Sequence, residues 1–199
     1  EVNKNSNSTR KIYFSGGEPT LVENMYDMLE KIIDSGMAKD IELEYNINLT
    51  NIPRRAINVW HNFKQVTLGG SIDAVGEYNN YIRYPSKWNK IEENIKWLDQ
   101  NTNPNINFFC TATWQILNAT QILDLIKWQI ENKFVKFNRM ANSVFFSFLT
   151  LSAPTYLNVK ALPKELKQHV QDEFDKFDKE YLKPWIDSLP EDFQFANTD

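Results

Sequence analysis

Cysteine occurs once in this chain, at Cys110, and histidine twice, at His61 and His169. A lone thiol excludes an internal disulfide framework and any metal centre built from clustered cysteines of this chain, and it suits a reducing cytosol. An excess of cations is missing too. The 22 Lys and Arg residues against 26 Asp and Glu give a net charge of -4, with the cations dispersed among acids, so the chain carries no footprint for a nucleic-acid backbone. No apolar run approaches the roughly 18 residues of a membrane span. The polar segment 1–10 lacks the apolar core of a signal peptide. Neither Gly-Lys-Ser/Thr nor Gly-x-Gly-x-x-Gly occurs, which removes the usual phosphate-cradling loops. What these absences leave is one domain of 199 residues, expected to be cytoplasmic, with no nucleic-acid or membrane partner and no metal ligands of its own.

What is present is organised around Lys11 to Leu21. Ile12 and Phe14 alternate with Tyr13 and Ser15 as a half-buried strand does. The run stops at Gly16 and Gly17, followed by Glu18 and Pro19, and Thr20 with Glu23 has the spacing of a capping box that opens a helix. Two readings of the diglycine stand side by side: a tight βα turn, or a loop whose bare backbone admits a ligand. An acid fixed in that turn disfavours phosphate and favours an amine.

Five times over, a short strand is followed by an amphipathic helix. Strands are predicted at Ile12–Phe14, Ile41–Asn48, Gln65–Asp73, Ile106–Thr113 and Val144–Leu151. Helices follow from Val22 to Ile33, after Pro53, from a cap at Ser86, from Thr120, and from Pro163 with Leu166, Val170, Phe174, Phe177 and Tyr181 on one stripe. The stretch Ala74–Pro85 reads as a loop holding aromatics and Arg83, and Trp185, Leu189 and Phe193 continue an aromatic tail. This alternation predicts parallel βαβ units with right-handed crossovers. One face of most strands is polar, which a doubly covered open sheet would not tolerate. The expected fold class is therefore α/β, a partial (β/α)6 TIM-like barrel of parallel strands with helices outside. Its site would lie at the strand ends, where Gly16 to Pro19, Asn46 to Thr50 and Ser71 to Asp73 fall. Cys110, on the apolar face of its strand, reads as a buried structural thiol, and both histidines read as surface or packing residues.

Gly16-Gly17-Glu18-Pro19 after a strand resembles the GGEP motif of radical S-adenosylmethionine (radical SAM) enzymes, a family with a partial (β/α)6 barrel. Asn46-Ile47-Asn48-Leu49-Thr50 is similar to the Asn-Thr-Asn-Leu-Thr segment of the subgroup that carries a twitch domain, a shortened SPASM domain. Ser71-Ile72-Asp73, with Tyr81-Ile82-Arg83 and Trp88 downstream, resembles the same subgroup's Ser-Ile-Asp-Gly and Tyr-Ile-Arg segments. Pro154, Tyr156 and Leu157 followed by Leu162-Pro163 resemble its sixth-strand exit. Ala74 stands where the family usually has glycine. The resemblance covers about Lys11 to Phe177.

The resemblance implies a 4Fe-4S cluster, S-adenosylmethionine split to a 5′-deoxyadenosyl radical, an electron donor, and a peptide or small-molecule substrate. It implies a ligand site at Gly16, Gly17, Glu18, Pro19, Asn48, Ser71, Asp73 and Arg83. Glu18 would accept from the ammonium of S-adenosylmethionine. Ser71 and Arg83 would hold its carboxylate, with Asp73 orienting Arg83; Asn46, Asn48 and Thr111 would reach ribose, adenine or substrate. The plain alternative for Arg83 is a pairing with Asp73 or Glu77. The family's Cys-x3-Cys-x2-Cys ligands lie upstream of GGEP and are not in this chain. The expectation is therefore an internal piece, inactive alone, lacking its first βα unit and a following twitch domain: residues 1–10 polar, 11–182 barrel, 183–199 an extension. The alternative is a non-catalytic ligand-binding or scaffold barrel that has lost the cluster site; a cofactor-free hydrolase is disfavoured because neither histidine lies at a strand end.

Overall fold

In the computed structural model, which describes residues 9–136 and 147–189, the period-two runs become five strands. These are β1 (Lys11–Phe14), β2 (Glu42–Ile47), β3 (Gln65–Ser71), β4 (Ile106–Trp114) and β5 (Ser147–Thr150), hydrogen-bonded in sequence order into one sheet. Ile12 pairs with Leu43, Leu43 with Val66, and Ala112 with Phe148, all in parallel registers. Val66 and Ile72 donate to the carbonyls of Asn105 and Thr111, so β3 and β4 also run the same way. The helices are α1 (Glu23–Asp34), α2 (Arg54–Trp60), α3 (Gly76–Ile82), α4 (Trp88–Asn101), α5 (Gln121–Asn132), α6 (Lys164–Phe177) and α7 (Lys183–Asp187). Strand, crossover helix and parallel strand in unbroken order is the topology of a partial (β/α) barrel. Val144 to Phe146 and Phe193 lie outside the described residues, as do 1–8.

The chain forms two compact units. The first comprises Glu1–Ser71, Asn89–Cys110 and Phe134–Met140. Its core is what the alternation demands: Leu43, Tyr45 and Ile47 are buried while Glu42, Glu44 and Asn46 take the other face of β2. Phe14 stacks on Tyr45 at 4.7 Å, and Tyr45 packs against Trp60. Cys110 is fully buried. Helix α2 is clamped to α1 by Arg55, which reaches Glu23, Asp27 and Glu30 and lies over the ring of Tyr26.

At the β2–β3 contact, Leu49 adopts φ 60° with its side chain fully buried, a backbone region that a branched residue enters only when its surroundings hold it there. A Cβ added at Gly70 would sit 2.5 Å from Leu49 Cδ1. Gly70→Ala should therefore push Leu49 out of place and cost about 1–3 kcal/mol in urea denaturation.

Burial, with Lys136 nearby, holds the His61 imidazole below its ordinary value of 6.5. The unfolded chain then binds the extra proton more readily, so this contribution to stability is full above about pH 6.5 and is lost as pH falls. Wild type should lose more stability between pH 7.5 and 5.5 than His61→Gln does, as read by urea midpoints; parallel slopes would refute it.

The second unit comprises Ile72–Trp88, Thr111–Lys133 and Ala141–Asp199. The expected loop at Ala74–Pro85 contains α3, because Gly76, at φ 61°, turns the chain into one more helical stretch. Ser86 does not cap α4. That role passes to Asn80, whose Oδ1 accepts from Trp88 N at 2.6 Å. The apolar stripe of α6 is less covered than its spacing suggests: Leu166 is 49% exposed and no α6 residue is fully buried, although Phe174 meets Trp114. His169 is exposed.

Candidate functional site

The diglycine lies just past β1. Gly16 and Gly17 both have positive φ, at 87° and 55°, and a Cβ at either would meet nothing within 4 Å. Conformation, not crowding, requires glycine there. Pro19 and Thr20 are buried in a single 3-10 turn, Pro19–Leu21. The expected capping box is not formed: α1 starts at Glu23 behind Val22, with no side-chain cap. Thr20 turns its hydroxyl to Glu18 instead, donating to Oε1 at 2.7 Å. The other carboxylate oxygen of Glu18 accepts from Asn48 N at 2.8 Å.

Glu18 and Asn48 are thus brought together, and the acid is locked in one orientation. An ionised carboxylate has about four lone-pair sites, so two acceptor positions on Glu18 remain. The lock has a second layer, since Tyr26 donates its phenol to Thr20 O at 2.7 Å. Burial, with Glu23 nearby, pushes that phenol up to about 12, which keeps it a donor. Asn48 Oδ1 accepts from both Thr50 N and Thr50 Oγ1, at 2.9 and 2.6 Å. Its amide nitrogen makes no hydrogen bond among the described residues. Ser71, at the end of β3, likewise has a hydroxyl without a partner among them.

In the second unit Asp73 is the hub. It is 4% exposed, and each of its polar groups is used. Oδ1 accepts from Thr113 N at 2.6 Å; Oδ2 lies 2.8 Å from Arg83 Nε; its N–H donates to Asn79 Oδ1 at 3.2 Å; its carbonyl accepts from Asn118 Nδ2 at 2.7 Å. The contact to Arg83 is an ion pair whose N–H is not aligned on the oxygen. It is held at Nε, so both terminal nitrogens of Arg83 are without partners among the described residues, on a side chain 27% exposed. That is the geometry for a forked grip on a carboxylate. Glu77 does not join; it accepts from Asn80 Nδ2. Ala74 is fully buried without a positive φ, so the turn after Asp73 does not need glycine at that position. Thr111 Oγ1 is buried with no partner among the described residues.

Thr20, Asn79, Thr113 and Asn118 support these clusters, and periodicity could not have found them. Their bonds go to backbone groups or across loops, which leaves no spacing signal.

In the first unit, Glu18 presents an oriented carboxylate beside exposed glycines; in the second, Arg83 presents a guanidinium whose terminal nitrogens have no partner among the described residues. The residues do not suit an iron–sulfur cluster. The single cysteine is buried in the apolar core, and no group of three or more His, Cys, Asp or Glu among the described residues is placed to hold a metal. No described helix is long and apolar enough to cross a membrane.

The structure of SuiB from Streptococcus suis bound to S-adenosylmethionine superposes with a TM-score of 0.55 at 16% identity, over 85% of this chain and 36% of that one. SuiB bound to its precursor peptide SuiA gives 0.57 at 17%, over 85% and 35%. A domain of the pyruvate-formate lyase-activating enzyme from Bacteroides vulgatus ATCC 8482 gives 0.54 at 13%, over 83% of this chain and 93% of that domain. At such identities the likeness is one of fold, and this chain spans about a third of the SuiB structures. No curated protein matches the sequence. The model of the radical SAM superfamily matches residues 1–128, well over half of the sequence, and the chain belongs to the radical SAM superfamily.

Proposed function

We propose that this chain is the S-adenosylmethionine-binding part of a radical SAM enzyme. Superfamily membership implies an enzyme that uses S-adenosylmethionine and a 4Fe-4S cluster. When bound, the cluster would supply the electron that cleaves S-adenosylmethionine. Its thiolate ligands are not among these 199 residues, so the chain alone is inactive in that chemistry. Glu18 takes the ligand's ammonium on its two remaining acceptor positions, with the carbonyls of Gly16 and Gly17 beside it and Pro19 fixing the turn. Arg83 and Ser71 take the carboxylate, Asp73 orients Arg83, and the amide of Asn48 and the hydroxyl of Thr111 serve the remaining polar groups of ligand or substrate.

The observation that carries this reading is Arg83, held at Nε by a buried acid while both terminal nitrogens have no partner among the described residues. An ion pair held at Nε leaves the planar fork of terminal N–H groups available to a carboxylate.

The motif order of Asn46–Thr50, Ser71–Asp73 and Tyr81–Arg83 supports the twitch subgroup. In that assignment 11–182 is the barrel, and an electron donor completes the cycle. A peptide is the favoured substrate class, since a peptide-bound SuiB shares the fold; the setting is the cytoplasm.

The test is S-adenosylmethionine binding by the full-length gene product. Arg83→Lys keeps the charge and the ion pair's site but loses the planar fork, and should weaken binding about tenfold by calorimetry. An unchanged Kd would remove Arg83 from the site, and wild-type protein that does not bind S-adenosylmethionine would overturn the function.

A further inference from the structure

We infer that Asn118 is a positioning residue for ligand binding, acting through Asp73 on the guanidinium of Arg83. The inference rests on the reading of Arg83 as the carboxylate partner. Asn118 is fully buried and makes three hydrogen bonds: Nδ2 donates to Asp73 O at 2.7 Å and Thr113 O at 3.0 Å, and Oδ1 accepts from Gln115 N at 2.8 Å. Thr113 N in turn donates to the Asp73 carboxylate. One amide nitrogen therefore ties together two carbonyls whose own residues are bonded to each other, and the three residues form a closed ring at the end of β4.

The ring determines which way Asp73 points. With its carbonyl held by Asn118 and Oδ1 held by Thr113, the carboxylate is restricted in rotation, and Oδ2 is turned to Arg83 Nε. The backbone of Arg83 is tied to Asp73 through Asn79: Asp73 N donates to Asn79 Oδ1, and Arg83 N donates to Asn79 O at 2.9 Å. The ion pair is thus anchored from the backbone at both residues, and Asp73 holds the guanidinium at Nε. The bonds to Gln115 N and to Thr113 O, five residues back, close the local turn; the bond to Asp73 O, 45 residues away in sequence, reaches beyond it. Preorganisation of this kind lowers the cost of ordering a charged side chain on binding.

The experiment compares S-adenosylmethionine with its decarboxylated analogue, which lacks only the group Arg83 would hold. Binding of each is measured by equilibrium dialysis with the full-length protein, its Asn118→Asp and Asn118→Ser variants, and Arg83→Lys. Asn118→Asp keeps the acceptor for Gln115 and removes both donors; the serine hydroxyl keeps one donor at most. Both variants should weaken S-adenosylmethionine about tenfold and leave the decarboxylated analogue within about twofold. Equal weakening of the two ligands, no weakening of either, or loss of folding in both variants would overturn the proposal. The result for Arg83→Lys separates the two levels. If it loses discrimination between the ligands while the Asn118 variants keep it, the inference alone fails; if it too keeps discrimination, the carboxylate reading of Arg83 fails and the inference with it.

Discussion

Asp73→Ala is expected to cost about 3–5 kcal/mol of folding stability, against the roughly 5–15 kcal/mol that holds a typical domain together. Two terms add. Removing one partner of a buried pair leaves the other charge uncompensated, a penalty moderated here because Arg83 keeps 27% of its side chain exposed. Thr113 N–H also loses its acceptor at 2.6 Å, and an orphaned donor costs about 1–3 kcal/mol. Asp73→Asn should cost less, because an amide oxygen can still serve Thr113, while its NH2 group faces the guanidinium donor to donor. Urea denaturation of the three proteins checks the order wild type, asparagine, alanine. Equal midpoints for wild type and alanine would show that the hub carries no weight. Any binding assay on Asp73→Ala must therefore be read against its folded fraction, which is why the gentler Arg83→Lys tests the ligand.

The architecture was legible because burial writes a period into the chain. Leu43, Tyr45 and Ile47 against Glu42, Glu44 and Asn46 can satisfy water and core at once only as a strand, and the same argument repeated down the chain yields the βα order. The site was legible where its chemistry needs a rare residue: two adjacent glycines at positive φ, and an acid directly after them. Its supports were not. Asn118 lies 45 residues from the carbonyl it holds, and an asparagine in a loop looks the same whether it faces water or closes a ring. Thr20 shows the opposite error. Thr-x-x-Glu fits a capping box by spacing, but Pro19 starts a 3-10 turn first, and a closer acceptor, the Glu18 carboxylate, claims the hydroxyl. The loop forecast at Ala74–Pro85 failed for a similar reason: seven residues, Gly76–Ile82, form too short a helix for an apolar stripe to show. Hydrophobic pattern reports burial, and α6, with Leu166 half exposed, shows that an apolar stripe reports the tendency to be covered rather than its completion.

Glu18→Ala should act twice, and the pair Glu18→Ala and Glu18→Gln separates the two effects. Glutamine can still accept from Thr20 or Asn48 with its one carbonyl oxygen, but it has lost the charge that an ammonium would meet. A charge-assisted hydrogen bond contributes about 1.5–3 kcal/mol when shielded from water, so Glu18→Gln should weaken S-adenosylmethionine roughly ten- to hundredfold while leaving most of the stability in place. Alanine removes the same charge and also strips Asn48 N–H, at 2.8 Å, and the Thr20 hydroxyl, at 2.7 Å, of their acceptor. Because both lie in partly buried surroundings, a further loss of about 1–3 kcal/mol in folding stability is expected from alanine alone, and with it a looser Gly16–Gly17 turn. Calorimetry on folded protein and urea midpoints measured in parallel resolve the two. If glutamine binds S-adenosylmethionine as wild type does while alanine unfolds early, Glu18 is a brace for the β1 turn and the ammonium must be met elsewhere. If glutamine loses binding at a wild-type midpoint, the acid's charge is spent on the ligand, and its hydrogen bonds to Thr20 and Asn48 serve to aim it.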